Sequence, residues 1–174
     1  MKAKKITEIF KKYTVVEEME VEIKEDKFVR ERVNKPDAVC AVVYDTIYKK
    51  YIFVSQYRPG SDSDMLELVA GQVGKGETPI AAIEREILEE IGYEVDSIRT
   101  LVPFYYVSPG YSTERIKIYF AEVSKKVSDG GGLENENEHI IVRVWSEDNI
   151  KSAIDRIIDG KTLMGLMACG FKLD

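Results

Sequence analysis

Three glutamates lie close together in the segment AGQVGKGETPIAAIEREILEEIGYEV, residues 70–95: Glu86, Glu89 and Glu90. A helix turns about 100° per residue, so these spacings place the three carboxylates on one face. Like charges so spaced repel, at roughly a few tenths of a kcal/mol per pair. The cluster is either a solvated acidic face or a site for hard divalent cations. Mg²⁺ prefers oxygen ligands, and two such ions can align an attacking water and stabilise a leaving phosphate oxygen.

The helix that carries these carboxylates is predicted to begin after Thr78, a suitable N-cap, and to end at Gly92, a suitable C-terminal cap. Pro79 suits the first helical position. A stripe on the side away from the acids is predicted to face the core, with Leu88 at its edge. Its members are Ile80, Ile83, Ile87 and Ile91.

The rest of the sequence alternates between extended and helical patterns. Residues 13–33 predict a hairpin, and further strands are predicted at residues 38–44, 51–57, 65–71, 95–107, 115–123 and 139–145. A second helix is predicted from Ser146, with one buried face formed by Ile150, Ala153, Ile154, Ile157 and Ile158. A last helix is predicted at residues 161–169. This mixture predicts an α/β sandwich, with helices packed on the faces of a mixed sheet.

Length and composition describe an ordinary globular chain. It has 174 residues, 44% hydrophobic and 32% charged, which suits one main domain with a sizeable core. The pattern breaks at residues 34–37, so we predict an N-terminal β appendage at residues 1–35 and the main domain at residues 36–174. The formal net charge is −6, which disfavours binding to long nucleic acid. An anionic small molecule can still bind if metal ions reverse the local sign.

The sequence predicts neither a membrane span nor a secretion signal. No apolar run approaches the roughly 18 residues of a membrane span, and the N-terminal residues lack a continuous apolar stretch. The two cysteines, Cys40 and Cys169, have no disulfide or metal-type spacing. The single histidine, His139, argues against a serine–histidine triad or a histidine-built zinc site. We therefore expect a protein of the reducing cytoplasm, with Cys40 as a buried free thiol.

The acidic helix belongs to a longer pattern that resembles the Nudix box. From Gly71 the chain reads G-x5-E-x7-R-E-I-L-E-E-I-G-Y, ending at Tyr93, and every fixed position is matched. The resemblance implies a loop–helix–loop that binds Mg²⁺, or Mn²⁺ in its place, within an α/β/α sandwich. It also implies hydrolysis of a nucleoside diphosphate linked to a further group.

The resemblance assigns roles within the box. Glu86 and Glu90 are the implied main metal ligands, with Glu89 in support and the backbone carbonyl of Ala70 completing the set. Arg85 is expected to hold Glu77 and the loop in place rather than to touch substrate. The residues with implied structural roles are Gly71, Glu77, Arg85 and Gly92.

Features outside the box resemble the branch that contains the ADP-ribose pyrophosphatases and the GDP-mannose hydrolases. Pro109, in SPGYSTE, lies sixteen residues beyond Tyr93, and QYRPG and MLELVAG resemble the same branch. GGGLENENEHIIV and DGKT are closer to the GDP-mannose type, so both substrates stay open. The substrate contacts that the resemblance implies, or that we infer beside it, are Arg58, Glu67, Ser108, Pro109, Gly110, Glu114 and Arg32.

The late acidic loop, residues 124–138, supplies candidates for the general base, because a carboxylate beside a metal can activate water. Glu138 is the first choice and Glu136 the second, with Glu89 of the helix as a further candidate. The alternative is that the loop acids only keep a mobile segment soluble. Departures from the branch leave the base and sugar preference open: SDSDM stands where an aromatic residue is common, Tyr111 replaces a small residue, and His139 stands where an acid is common.

The N-terminal appendage resembles the part through which relatives of this branch form dimers. We therefore expect a homodimer in which Arg30 or Arg32 reaches the nucleotide pocket of the partner; light scattering that shows an active monomer would remove this hypothesis. The function expected is Mg²⁺-dependent hydrolysis of a nucleoside diphosphate sugar, with no nucleic acid or membrane partner. The alternatives are a Nudix hydrolase of another nucleotide, such as a nucleoside triphosphate, a non-catalytic Nudix sensor, and a purely structural protein.

Overall fold

The computed structural model describes residues 3–132 and 139–173. They form two compact units. The first contains the chain up to Asp37 together with Tyr105–Ile116, and the second contains Ala38–Phe104 and Lys117–Asp174. No helix among the described residues is long and apolar enough to cross a membrane.

The first unit is built on an antiparallel sheet in the order β1-β2-β3: β1 (Ala3–Lys11), β2 (Val15–Ile23) and β3 (Asp26–Asn34). Strands β2 and β3 correspond to the predicted hairpin. Strand β1 was not predicted, because its conformation depends on pairing with β2 rather than on its own pattern. The loop after β8 joins this unit because Val33 donates its N–H to Tyr111 O at 2.7 Å and accepts from Thr113 N at 3.0 Å.

A buried carboxylate organises the inner part of this small sheet. Glu17, only 7% exposed, accepts hydrogen bonds from Arg32 Nε and Asn34 Nδ2, both at 2.7 Å. The guanidinium of Arg30 lies over the ring of Phe28 at 4.4 Å. Both arginines therefore have partners within their own sheet, and the homodimer to which they would contribute stays a prediction.

The larger sheet of the described residues has seven strands. Five follow the order β10-β5-β4-β9-β8, while β6 pairs with β5 and β7 pairs with β4. Their bounds are β4 (Ala38–Asp45), β5 (Lys50–Arg58), β6 (Ser63–Glu67), β7 (Val69–Gln72), β8 (Tyr93–Tyr106), β9 (Arg115–Lys126) and β10 (Ile141–Trp145). The single strand predicted at residues 65–71 is two strands, because the chain changes partner at Leu68, whose N–H binds Thr162 Oγ1 at 2.9 Å.

Helices cover both faces of this sheet. On β4, Val39 and Ala41 belong to the core cluster of Ile83 and Ile87 in α1 (Pro79–Ile91). Val42 points the other way, towards α3 (Gly160–Ala168), where a Cβ built on Gly165 would lie 3.0 Å from its Cγ2. Alternate residues of one strand thus meet helices on opposite sides. The result is an α/β/α arrangement.

The predicted caps of α1 are confirmed, and part of its predicted core stripe is wrong. Thr78 Oγ1 accepts from Ala81 N at 3.2 Å, and Gly92 closes the helix with a φ of 77°. Ile83, Ile87 and Ile91 are buried, but Ile80 is 47% exposed, so its predicted burial is wrong; Leu88, predicted at the edge of the stripe, is 42% exposed. The sheet therefore does not cover Ile80, although Ala82 in the same first turn is buried in the core.

The second predicted helix is shorter than its apolar pattern indicates. Helix α2 (Glu147–Ala153) ends where a 3-10 turn begins, at Ile154–Arg156. Ile154 and Ile157 are buried, yet Ile158 is 72% exposed, so the prediction of a buried Ile158 is wrong. The tighter turn redirects the chain towards Asp159, which caps α3.

A buried hydrogen bond at the end of the box predicts a pH dependence. Tyr93 donates its hydroxyl proton to Asp45 Oδ2 at 3.0 Å, and burial together with this bond raises the pKa of Tyr93 to about 12. A tyrosine ordinarily titrates near pH 10, so the bond contributes its full stability below about pH 10 and loses it as the pH rises through about 12. We expect Tyr93→Phe to be less stable than the wild type at pH 8 and to lose less stability between pH 10 and 12.

Urea unfolding across this pH range measures the difference. Tyr111→Phe is the matched control, because Tyr111 is 60% exposed. A Tyr93→Phe profile parallel to that of the wild type would show that this hydroxyl does not contribute.

Candidate active site

The junction of β7 with α1 brings a carboxylate against the backbone of the sheet. Glu90 is only 2% exposed, and its Oε2 accepts the N–H of Ala70 at 3.2 Å. All three helix carboxylates were predicted to lie on a face away from the core stripe, and for Glu90 this is wrong. Helical spacing places Glu90 on the side of Ile83 and Ile87, where it contacts Ala70 within β7.

The next residue of β7 is a glycine because Glu86 occupies the space of a side chain. A Cβ built on Gly71 would lie 1.7 Å from Glu86 Oε1, far inside any real contact. The absence of a side chain lets the backbone of β7 approach the helix this closely. Glu86 and Glu90 therefore meet consecutive residues of one strand.

Arg85 connects the helix to the loop before it. Its Nε and Nη2 donate to the carboxylate of Glu77 at 3.0 and 3.2 Å, and Nη2 also donates to Gln72 O at 3.1 Å. Its Nη1 donates to Glu86 Oε1 at 2.7 Å and to Glu89 Oε2 at 3.0 Å. The contact between Arg85 and Glu77 was expected from the resemblance, while the two contacts with helix glutamates were not predicted.

These contacts set the electrostatics of the box. The hydrogen bond with Glu77 is the main cause that raises the pKa of Arg85 far above its ordinary value, with Glu86 and Glu89 adding to it. In turn, Arg85 and the N–H of Gly74 lower the pKa of Glu77. The guanidinium thus stays charged and offsets part of the repulsion between the helix carboxylates.

The donor set fits a hard divalent cation, because it consists of carboxylate oxygens beside a strand backbone. Within residues 3–132 and 139–173, no group of three or more His, Cys, Asp or Glu side chains is already gathered as a metal site. Nη1 of Arg85 is instead bonded to both Glu86 and Glu89. A cation that uses these two carboxylates must therefore compete with Arg85.

A turn of three glycines is attached to the carboxyl end of α1. Gly131 N donates to Glu90 O at 2.8 Å, and Gly132 N donates to Glu89 O at 3.1 Å. All three glycines have positive φ, and a Cβ on Gly130 would lie 2.5 Å from Glu90 O. Along the chain, this turn follows β9 and immediately precedes residues 133–138. Glu136 and Glu138, the predicted candidates for the base, lie outside the described residues.

Two of the predicted substrate contacts bind each other. Arg58 donates from Nε and Nη2 to the two oxygens of Glu67, at 2.7 and 2.8 Å. Lys161 Nζ also binds Glu67 Oε2, and it lies 3.1 Å from Asp159 Oδ2. Burial raises the pKa of Glu67, but the hydrogen bonds and charges of Arg58 and Lys161 outweigh it, so the pKa is lowered. Lys161 was not among the predicted site residues. The segment DGKT, residues 159–162, contains the pattern that could have indicated it, a helix-capping acid two residues before a lysine.

The remaining predicted substrate contacts belong to the first unit. Ser108 O accepts from Tyr111 N at 3.2 Å and from Ser112 N at 3.0 Å, which closes the turn that contains Pro109 and Gly110. Glu114 N donates to Ser112 Oγ at 3.1 Å. Arg32 is bound to Glu17, as described above. Their roles towards substrate stay predictions.

Comparison with known proteins identifies the family. The NUDIX domain matches residues 34–163 of the chain. The chain is 33% identical over 138 residues to the methanol dehydrogenase activator of Bacillus methanolicus. The aligned region covers 79% of this chain and 74% of that protein. It is 33% identical over 134 residues to the ADP-ribose pyrophosphatase of Bacillus subtilis, covering 76% and 71%. It is 32% identical over 144 residues to the GDP-mannose pyrophosphatase of Yersinia enterocolitica, covering 78% and 74%.

A solved structure shows the same fold. The crystal structure of an ADP compounds hydrolase matches with a TM-score of 0.79 at 19% identity, over 97% of this chain and 91% of that one. This likeness confirms the α/β sandwich and the small N-terminal sheet predicted from the sequence. By the domain match and its relatives, the chain belongs to the Nudix family of hydrolases, enzymes that act on pyrophosphate bonds.

Proposed function

We propose that this chain is a Mg²⁺-dependent pyrophosphatase of nucleoside diphosphate sugars, with ADP-ribose and GDP-mannose as the candidate substrates. The observation that carries the proposal is the β7–α1 junction, where Glu86 and Glu90 meet the backbone of Ala70 and Gly71. Similarity to pyrophosphatases of both substrates supports the substrate class. Nudix hydrolases generally use divalent metal cations, which supports the metal dependence.

The chain's own residues would divide the work as follows. Glu86 and Glu90 would hold the cation, with Glu89 in support and the Ala70 carbonyl completing the set; Mn²⁺ is the alternative ion. A divalent cation supplies charge neutralisation at the pyrophosphate and makes a bound water more acidic. Arg85 would balance the carboxylates and fix the loop through Glu77.

Hydrolysis breaks one P–O bond of the P–O–P bridge. Water attacks one phosphorus, the bridging oxygen leaves with the other phosphate, and the products are a nucleoside monophosphate and a sugar phosphate. A carboxylate must accept the proton of the water. Glu138 is our first candidate, followed by Glu136 and Glu89.

Substrate recognition would use two groups of side chains. Arg58, with Glu67 as its partner, would offset the pyrophosphate charge, because a guanidinium binds phosphate oxygens in pairs. Glu114 would contact the sugar hydroxyls, and Ser108, Pro109 and Gly110 would be further substrate contacts. Arg32 of a partner subunit would contact the nucleotide.

A hydrolysis panel tests the proposal. The purified chain is assayed with ADP-ribose, GDP-mannose, other sugar nucleotides and nucleoside triphosphates, each with Mg²⁺, with Mn²⁺ and with EDTA. We expect one sugar nucleotide to exceed the triphosphates by about a hundredfold or more in kcat/KM, since binding discrimination of a few kcal/mol gives that ratio. EDTA is expected to abolish turnover. A preference for triphosphates would overturn the substrate class, and full activity in EDTA would overturn the metal dependence.

A further inference from the structure

We infer that Lys161 is a positioning residue: it compensates the buried charge of Glu67, so that Arg58 can leave Glu67 and bind the anionic part of a substrate. The nature of that anion, a pyrophosphate, rests on the proposed function. The pairing itself rests on the geometry of three side chains.

Glu67 is a carboxylate that needs a counter-charge at all times. It lies at the end of β6 and is only 1% exposed. Removing the partner of a buried charge is strongly destabilising, because the charge is then left neither solvated nor paired. If Arg58 were the only partner, its departure towards a substrate would carry that full penalty.

The two cations around Glu67 differ in access to solvent. The side chain of Arg58 is 41% exposed, whereas that of Lys161 is 12% exposed. Arg58 extends from the end of β5, and the charge of Glu90, at the candidate metal site, contributes to raising the pKa of Arg58. Arg58 is therefore the cation that can reach an incoming anion, and Lys161 is the one that stays.

The local structure holds Lys161 in place. Asp159 caps α3 by accepting from Thr162 N at 3.0 Å and from Thr162 Oγ1 at 2.6 Å. Thr162 Oγ1 also accepts the N–H of Leu68, the residue after Glu67, at 2.9 Å. The first turn of α3 is thus bonded to the segment that carries Glu67. Asp159 keeps these bonds if Lys161 is replaced, so Lys161→Met removes the charge without leaving Asp159 unpaired.

A thermal-stability cycle tests the compensation without any substrate. Arg58→Met, Lys161→Met and the double variant are melted in the wild-type background and in a Glu67→Gln background. With Glu67 charged, each single change leaves one cation beside it, so we expect the Tm of each single variant to fall by only about 2–6 °C. The Tm of the double variant is expected to fall by about 10 °C more than the sum of the two single losses. In the Glu67→Gln background, where no buried charge is left to compensate, the two effects are expected to add.

The outcomes are decisive even if the double variant does not fold. If the double variant does not fold but the triple variant, which also carries Glu67→Gln, does fold, the inference is supported. Additive Tm losses with Glu67 present would overturn it, and so would a triple variant no more stable than the double variant.

The activity arm uses the sugar nucleotide that the hydrolysis panel prefers. In the Lys161→Met variant, Arg58 is expected to stay bound to Glu67 and not to reach the substrate. We therefore expect KM to rise about tenfold, because one hydrogen bond between charged groups is lost, and kcat to change by less than about threefold. Adding Arg58→Met should then change KM little, whereas Lys161→Arg, which keeps the positive charge beside Glu67, should leave KM near the wild-type value. Independent, multiplicative effects of Arg58→Met and Lys161→Met would overturn the positioning role. A panel without sugar-nucleotide hydrolysis would remove the proposed function, while the melting cycle would still decide the compensation.

Discussion

Glu90→Gln is expected to lower kcat/KM for the preferred sugar nucleotide by about a thousandfold, equal to about 4 kcal/mol of transition-state stabilisation. Glutamine keeps the shape of the side chain, and its carbonyl oxygen can still accept the Ala70 N–H that Glu90 Oε2 accepts at 3.2 Å. What it removes is the buried negative charge that would hold the cation. Steady-state assays over a range of Mg²⁺ concentrations measure the loss.

Glu84→Gln is the matched control for this experiment. Glu84 lies on the same helix, is exposed and occupies no fixed position of the box, so the same change of charge should leave the rate within about twofold. Hydrolysis by Glu90→Gln at the wild-type rate would refute the metal assignment. A wild-type chain that binds sugar nucleotides but does not hydrolyse them would favour the non-catalytic sensor.

Gly71→Ala is expected to lower kcat/KM by about a hundredfold while changing Tm by no more than about 4 °C. The new Cβ would lie 1.7 Å from Glu86 Oε1, so the carboxylate must move. The atoms in the way belong to the end of a flexible side chain, so the fold can adjust at small cost. The displaced carboxylate, however, would no longer be placed to hold a cation, and a shift of about 1 Å can cost this much rate.

Gly60→Ala separates this effect from the general effect of replacing a glycine. A Cβ on Gly60 meets nothing within 4 Å, so both Tm and rate should stay close to those of the wild type. Differential scanning fluorimetry and the hydrolysis assay report the two quantities for both variants. A Gly71→Ala enzyme with full activity would show that the position of Glu86 is not critical, and a large fall in Tm would show that its movement is not a local adjustment.

Local patterns account for what could be predicted correctly around the site. The bounds of α1 depend on Thr78, Pro79 and Gly92, whose backbone preferences act within one turn of helix. The clustering of Glu86, Glu89 and Glu90 follows from helical spacing alone. The strands of the large sheet were predicted from short, mostly apolar runs, as in residues 38–44 and 51–57, and in residues 115–123 from alternation with a period of two. Both signals are again local properties.

Features that depend on distant partners could not be predicted in this way. The pattern of α1 contains no reason to distinguish Ile80 from Ile83, since only the extent of the covering sheet leaves Ile80 exposed. The segment at residues 65–71 has the pattern of one strand, because only the arrangement of β4 and β5 shows where it changes partner.

By itself, the sequence determined the acidic helix, its caps and the chemistry that its carboxylates can perform, because each depends on residues within a few positions of one another. Only the tertiary structure decided that Glu90 is buried against Ala70, twenty residues away, and that Lys161 binds Glu67, ninety-four residues away. Contacts at such separations depend on how strands and helices pack, and no short pattern records them. The identity of the carboxylates could therefore be read in the sequence, whereas their burial and their counter-charges became visible only in the folded chain.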